Sequence, residues 1–433
     1  MSTYEARLAA LRAQLKKEQL DGFVVPICDE HMSEYVGDYA QRLGWLTGFG
    51  GSAGSAVVLS EEAAIFTDGR YTLQVREQVD GKHWQYVGVP QTSIADWLKG
   101  HAPTGARIGY DAWVHTKGWV ESATKALAAK GAELVAVKSN PIDRVWAEQP
   151  QKSVAKLIVH DTQYAGQSSA EKRAAVAEWL TANNLDSTVI SALDSVAWLL
   201  NVRGSDVSNT PVALSFVLAH ADGTADLFVA PEKIDDAVRA HLGNAVRLRD
   251  PSEFVPELRS MKDKRIAVDP DRAVAAIFGA LQAGGAHIIE ARDPTILPKA
   301  VKNPIEQSGH RAAQGIKRGY VTDMAAATYA VRDAVDRTEA FAIGRIADQQ
   351  AGMFAQRVRT ALPGNGPLCQ FDMLCGACRP CIGPGMRENL GIRIRPRDRN
   401  QPLHARHAIG GCRPAQTLPE MRVVASPFLA RDI

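Results

Sequence analysis

The sequence predicts an α/β protein: two tandem, related domains followed by a degenerate or poorly ordered C-terminal segment. Three observations carry this. Helical and short apolar strand patterns alternate over the first 295 residues. The opening pattern of the chain recurs after residue 150. Composition then breaks sharply near residue 315. A length of 433 residues allows two or three separate cores, and 45% hydrophobic with 23% charged residues is the balance of an ordinary globular protein.

Taken in order, Leu8, Leu11 and Leu15 recur at helical spacing and lead into LDGFVVP (20–26), a short buried-strand pattern. SAVVLS (55–60) and AAIFTDGR (63–70) form a β-hairpin joined at Glu61 and Glu62. Helical YTLQVREQ, strand HWQYVGV, helix SIADWLKG, strand RIGYD, a helix over 116–130 and strand ELVAV follow, closing a mixed α/β domain near Trp146. After the loop around Pro150, helix AEKRAAVAEWLTANN runs into LDSTVIS just as the first helix runs into LDGFVVP. Trp45 of GWLTGFGGSAGSAVVLS matches Trp198 of AWLLNVRGSDVSNTPVALS, and Gly51-Ser52 matches Gly204-Ser205. Coincidence between two common patterns is the alternative; three landmarks in one order favour duplication. The domains assigned are 1–150 and 151–295, with a third segment over 296–433.

The third segment is unlike the rest. Residues 1–317 carry 17 Lys and 17 Arg, whereas 318–433 carry no Lys and 16 Arg. Acidic residues divide as 38 and 10, which makes the front net −4 and the tail net +6. Five of six cysteines follow residue 368, and all eight tryptophans precede residue 200. The N-terminus has no apolar signal core, and no run is long enough to span a bilayer. With one cysteine in the first 368 residues, a reducing, cytoplasmic setting fits better than a disulfide framework.

Several stretches together resemble the aminopeptidase P group of the creatinase/prolidase ("pita-bread") metallopeptidases. They are DEHMSEYVGDYAQRLGWLTGFGGSAGSAVV (29–58), FTDGRY (66–71), DRVWAEQP (143–150), SALDSVAWLLNVRGSDVSNTPVALSF (191–216) and KAVKNPIEQSGHRAA (299–313). The resemblance covers about residues 4–314. It implies two homologous creatinase-type N-terminal domains, then a catalytic domain that begins near 296. It also implies removal of an N-terminal residue that precedes proline, so proline-containing peptides are the expected partners. A homodimer is left open, and neither nucleic acid nor membrane is expected. The family's cofactor is a pair of divalent ions, usually manganese, held by two Asp, one His and two Glu, because hard ions favour oxygen donors. The family's ligand patterns (DSG–Q–DGTTD, GHG–HE and Glu-Pro-Gly-Tyr-Tyr) do not occur in this sequence. The expectation is therefore an Xaa-Pro aminopeptidase relative with no catalytic residues and no metal ligands of its own. A non-enzymatic binding protein is the competing class. A reading-frame change near residue 315 in a GC-rich gene is the simplest account of the tail, with a divergent third domain as the alternative.

Four candidate sites follow. Cys375, Cys378 and Cys381, with Cys369, Cys412, His404 or His407, have the residue types of a zinc or iron–sulfur site but one knuckle only. They read as an accident of composition. RIRPRDR in the tail lacks the interleaved aromatics of a nucleic-acid surface. Asp29, Glu30, His31 and Glu34 read as a solvated strand-to-helix loop rather than a metal site. Arg70 ends FTDGR, where Asp68-Gly69 makes a tight turn that aims a planar donor from a rigid hairpin. In the family the Arg of this motif reaches the substrate peptide, so the resemblance makes Arg70 substrate-binding; a surface Arg paired with a neighbouring carboxylate is the alternative. No P-loop, dinucleotide fingerprint or Ser-His-Asp arrangement points to another enzyme class.

One prediction concerns the tail. Ordering a residue's backbone costs ~1–2 kcal/mol, offset only by burial at ~25 cal/mol per Å². From Pro363 onward the apolar residues have no period of 2 or 3.6 that would gather them on one face. Limited proteolysis should therefore leave a resistant core ending between about residues 295 and 315. A fully resistant chain would show the tail to be a genuine domain.

Overall fold

Leu8, Leu11 and Leu15 are buried by the first helix, which begins where the Thr3 hydroxyl accepts the Ala6 amide at 3.2 Å. The computed structural model describes residues 3–314. In it the first repeat comprises α1 (Tyr4–Lys17), β1 (Gly22–Pro26), α2 (Arg42–Thr47), β2 (Gly54–Leu59), β3 (Ala63–Thr67) and α3 (Gln74–Gln78). It continues with β4 (Gln85–Gly88), α4 (Ile94–His101), β5 (Arg107–Tyr110), α5 (Lys117–Ala128), β6 (Glu133–Ala136) and α6 (Pro141–Val145). The second repeat opens with β7 (Ile158–Val159), α7 (Thr162–Ala165), α8 (Ser169–Ala182), β8 (Ser187–Ile190), α9 (Leu193–Leu200) and β9 (Val202–Arg203). Then come β10 (Phe216–His220), β11 (Ala225–Phe228), α10 (Asp236–Leu242), β12 (Val246–Arg249) and α11 (Phe254–Arg259). It closes with β13 (Arg265–Val268), α12 (Ala275–Ala283), β14 (His287–Glu290) and α13 (Ile296–Ala300). All of these belong to one unit ending at Ile305; Glu306 onward falls in a second unit, whose described residues, 306–314, are helical. The expectations for the tail, CGACRPC included, lie outside the described residues.

Each repeat is built on a six-stranded mixed sheet. The orders are β4-β3-β2-β1-β5-β6 and β12-β11-β10-β8-β13-β14. Strand senses agree one for one. β1–β2 and β2–β3 are antiparallel while β3–β4, β1–β5 and β5–β6 are parallel. In the second sheet β8–β10 and β10–β11 are antiparallel while β11–β12, β8–β13 and β13–β14 are parallel. Both faces of each sheet are covered, which is why FVV, AVVL and AAIF read as continuous apolar runs. Phe23 and Val25 face α1 and α2 with Leu8, Leu11, Leu43 and Leu46. Val24, between them, faces Trp97, Leu98 and Leu127 of α4 and α5. The second repeat divides its core the same way, Ile190 on one side and Val189 on the other. Burying each such side chain contributes about 1.5–3 kcal/mol.

The duplication extends to single hydrogen bonds. Gln19 and Asn184 end their helices at φ 56 and 55, and Leu20 and Leu185 each donate back five residues, to Leu15 O and Leu180 O, at 2.9 Å. Asp21 and Asp186 then each accept the amide of an Arg, Arg107 or Arg265, at 2.8 Å. The two tryptophans are equivalent as well. Each lies three residues before a left-handed C-cap, Gly48 or Asn201. In α1 and in α8 the fourth residue is basic and pins that tryptophan. Arg7 donates to Trp45 O at 2.6 Å with its guanidinium 5.1 Å from the ring; Lys172 donates to Trp198 O at 3.0 Å with its ammonium 4.4 Å from the ring. Coincidence does not produce this, and duplication does.

The second repeat also fixes the chain where it leaves. Asn303 donates from Nδ2 to Ala165 O at 2.8 Å and accepts the Ile305 amide on Oδ1 at 3.0 Å. Gly166, at φ +68, has no space for a side chain, since a Cβ would lie 2.4 Å from Asn303 Oδ1.

The basic pins predict unequal costs. Lys172 is 2% exposed and also donates to Asn201 Oδ1 at 2.6 Å, so Lys172→Met strips a buried acceptor of its charged donor and should cost about 1.5–3 kcal/mol. Arg7 is half-buried, and Arg7→Met should cost about 1 kcal/mol. Urea midpoints of the two variants would reverse this order only if the repeats were not built on the same contact.

Candidate functional site

Arg70 stands just beyond the hairpin that the apolar runs of β2 and β3 specify. Instead of a simple tight turn, the chain makes a short 3-10 turn, Gly69–Tyr71, capped by Asp68, whose carboxylate accepts the Arg70 amide at 2.9 Å. The same carboxylate accepts from the guanidinium, Nε at 3.1 Å and Nη2 at 2.7 Å, and this hydrogen bond raises the Arg70 pKa and lowers that of Asp68. The guanidinium carbon lies 5.3 Å from the Tyr71 ring centroid. Tyr71 is fixed in turn: its hydroxyl is 2.8 Å from Ser52 Oγ and its ring meets Phe49 edge-on at 5.6 Å. Gly51 permits this, because a Cβ there would press to 2.3 Å from Phe49 and 2.7 Å from Tyr71. Arg70 remains 45% exposed in its side chain, an oriented planar donor on a rigid base. Glu34 is exposed and close enough to add to the field at Arg70.

The rest of the Asp29–Glu34 loop is not solvated, and the sequence expectation is corrected here. Asp29 and His31 are buried, at 0% and 3% exposure. Asp29 Oδ1 accepts the amides of His31 and Ser33, each at 3.0 Å. Glu30 accepts from the Tyr39 hydroxyl at 2.9 Å and pairs with Lys152. Burial alone would raise the Glu30 pKa, but His31 and Lys152 outweigh it and lower it to about 2. His31 lies with Nδ1 2.9 Å from Ser191 O and its ring 4.4 Å from Phe216, both in the second repeat. These polar residues are buried because they form the seam between the repeats.

The seam continues through the loop after β5. Thr116 and Val274 pair as an antiparallel bridge, and each is the N-cap residue of the corresponding helix, α5 or α12. Ala275 donates to His115 O at 2.7 Å and Ala276 to Ala112 O at 2.9 Å, while Lys117 pairs with Glu290. Like meets like across this part of the seam. Sequence reasoning had no signal for it beyond the repeat itself.

Ser187, His220 and Asp226 do form a chain, with Ser187 Oγ 2.8 Å from His220 Nδ1 and His220 Nε2 3.0 Å from Asp226 Oδ2. Adjacent strands β8, β10 and β11 bring them together. The chain is unsuited to nucleophilic catalysis: Ser187 is 4% exposed, and Asp226 is claimed by Arg247 at 2.6 and 2.7 Å. Burial alone would raise the Asp226 pKa; the hydrogen bonds from His220 and Arg247 lower it instead. Among the described residues no group of three or more His, Cys, Asp or Glu could hold a metal ion. A dinuclear carboxylate site therefore does not fit the residues described. Cys28 is no nucleophile either, since burial and then Asp29 raise its thiol to about 11.

A family model described as Creatinase/Prolidase N-terminal domain matches residues 7–145, and a second of the same description matches 148–306. A probable Xaa-Pro aminopeptidase P of Laccaria bicolor is 35% identical over 319 residues, 70% of this chain and 48% of that protein. Its counterpart in Tuber melanosporum is 34% identical over 345 residues, 75% of this chain and 54% of that protein. The chain spans about half the length of the curated relatives it matches. The crystal structure of X-prolyl aminopeptidase from Caenorhabditis elegans, described as a cytosolic enzyme with a di-nuclear active site, superposes with a TM-score of 0.68 at 27% identity. That match covers 78% of this chain and 56% of the other.

The Glu30 contacts give a pH prediction. A carboxylate held below its ordinary 4.5 adds stability that is complete above that value and is lost as pH falls toward about 2. Glu30→Gln should lower stability at pH 7 and flatten the stability curve between about 4.5 and 2 in acid-titrated urea melts. An unchanged slope in that window would mean Glu30 is not so paired in solution.

Proposed function

The chain belongs to the creatinase/prolidase family, and we propose that it is an Xaa-Pro aminopeptidase P relative that holds proline-containing peptides without hydrolysing them. The observation that carries this reading is the ordered match of both N-terminal domains, residues 7–145 and 148–306, together with the likeness to the fungal aminopeptidases P above. Arg70 is the binding residue we assign. Its guanidinium is oriented by Asp68 and Tyr71, so little rotamer freedom remains to be lost when it donates to a peptide carbonyl or carboxylate. Glu34 and the exposed Tyr35 stand on the neighbouring loop.

The inactive part of the reading rests on ligand chemistry. Two divalent ions, manganese in our reading of the family, supply an activated water when bound. Holding them takes about five oxygen and nitrogen donors converging on one point. The family's ligand patterns are missing from the whole sequence, and the described residues contain no such cluster. The loss of Lys and gain of Arg and Cys after residue 317 supports a reading-frame change near 315, which the nucleotide sequence of the gene tests directly. A cytoplasmic location is supported by the lone cysteine before residue 369. The second reading, a non-enzymatic interaction protein built on the paired domains, is supported by an Arg70 that is oriented and exposed while the described residues contain no metal-holding cluster.

The full chain with added manganese should release no Xaa from Xaa-Pro peptides above the metal-free rate, yet should bind them, with Arg70→Ala weakening binding about tenfold or more. Manganese-dependent turnover would overturn the inactive reading. Unchanged binding in Arg70→Ala would remove Arg70 from the site.

A further inference from the structure

His115 belongs to the seam and plays no part in the Arg70 face. It is 4% exposed, with Nδ1 2.8 Å from Asp111 O, so Nδ1 carries the hydrogen. Nε2 is buried and has no hydrogen-bond partner among the described residues. The rings of Trp119 and Tyr110 pack against the imidazole at 4.0 and 5.8 Å. The backbone on both sides is the seam itself: His115 O accepts from Ala275, and Thr116 bridges Val274.

We infer that His115 is an acid-sensitive latch between the two domains: neutral, it lets the Asp111–Lys117 loop seat on the start of α12, and protonated, it unseats that loop and parts the seam while both sheets stay folded. The reason is where the second proton must go. Only Nε2 can take it, and there a cation and a new N–H donor would face no acceptor.

The charges nearby do not supply one. On its own loop, the Asp111 carboxylate already accepts from Trp113 N at 2.9 Å and Asn140 Nδ2 at 3.0 Å, and Tyr110 is held neutral by burial, which raises its pKa. Lys117 is taken up by Glu121 of α5 and Glu290 of β14. In the second domain α12 carries no titratable side chain. The loop before it brings Asp269, Asp271 and Arg272, and the Asp269 carboxylate accepts the amides of Asp271 and Asp293. Burial thus lowers the His115 pKa from 6.5 to about 4, with the Asp111 carbonyl opposing. The open seam binds the proton at pH values where the seated one does not. Latch stability is therefore full above about 6.5, declines as pH falls and levels off below about 4. The Glu30 pair works in a lower window, between 4.5 and about 2.

Hydrogen exchange on the full chain tests this, with rates corrected for intrinsic pH dependence. The amides to follow are Ala275 and Ala276, which cross the seam, against those of β1 and β8 in the sheets. Between pH 7.5 and 4.5 the seam amides should lose roughly fifty- to a hundredfold in protection while the sheet amides keep theirs. His115→Asn retains a donor for Asp111 O without a titrating ring, and should abolish the loss. His115→Phe, which fills the ring space, serves should the Asn variant fold poorly. Seam protection independent of pH in the unsubstituted chain overturns the latch. So does a loss shared equally by the sheets, or one that persists in a folded variant.

Discussion

One cation over one tryptophan, used twice, organises each domain. A basic residue one turn into α1 or α8 donates to the backbone oxygen of the tryptophan and covers its ring, Arg7 on Trp45 and Lys172 on Trp198. That contact ties this helix to the short helix between the first two strands, and both then cover the same face of the sheet. With the helices tied, the reverse turn at Gln19 or Asn184 delivers the following Leu-Asp pair to the sheet in fixed register. The hairpin carrying Arg70 and the loops of the seam are placed by that register.

Much of this was legible because it is written in local pattern. Buried strands show as apolar runs, helices as Leu or Ala at helical spacing, and the duplication as Leu-Asp and Trp in the same order. What stayed hidden involves partners far apart in sequence. Asp29, Glu30 and His31 are polar, so the loop reads as solvated; only the presence of Ser191, Lys152 and Phe216 makes it a buried seam. The Ser187–His220–Asp226 chain depends on the β8–β10–β11 register, which no spacing in the sequence reveals. Arg70 fell between these cases. Its turn is local and was readable, and so was the neighbouring-carboxylate alternative: Asp68 does take the pair, though the exposed remainder of the side chain leaves the binding role standing as a proposal.

The polar content of the second domain shows how the fold treats buried charge. Lys233 with Asp206, and Lys172 with Asn201, are almost wholly enclosed, and each ammonium meets an oxygen acceptor there. Such pairs add little net stability over apolar packing, but removing one member leaves the other stranded. They act as locks on loop position: Asp206 also accepts the Leu214 amide at 2.7 Å, which holds the 204–215 loop down on the domain.

Asn303 has a practical bearing on where this chain can be cut. It is the donor for Ala165 O, and its carbonyl oxygen fills the space that Gly166 leaves open. A fragment stopped at residue 295, the border read from the sequence, would strip the α7 turn of that cover and leave Ala165 O without its Asn303 donor. Carrying the fragment ten residues further, to Ile305, keeps the bracket closed. The useful border of the second domain is thus set by one side-chain amide rather than by the last element of its sheet.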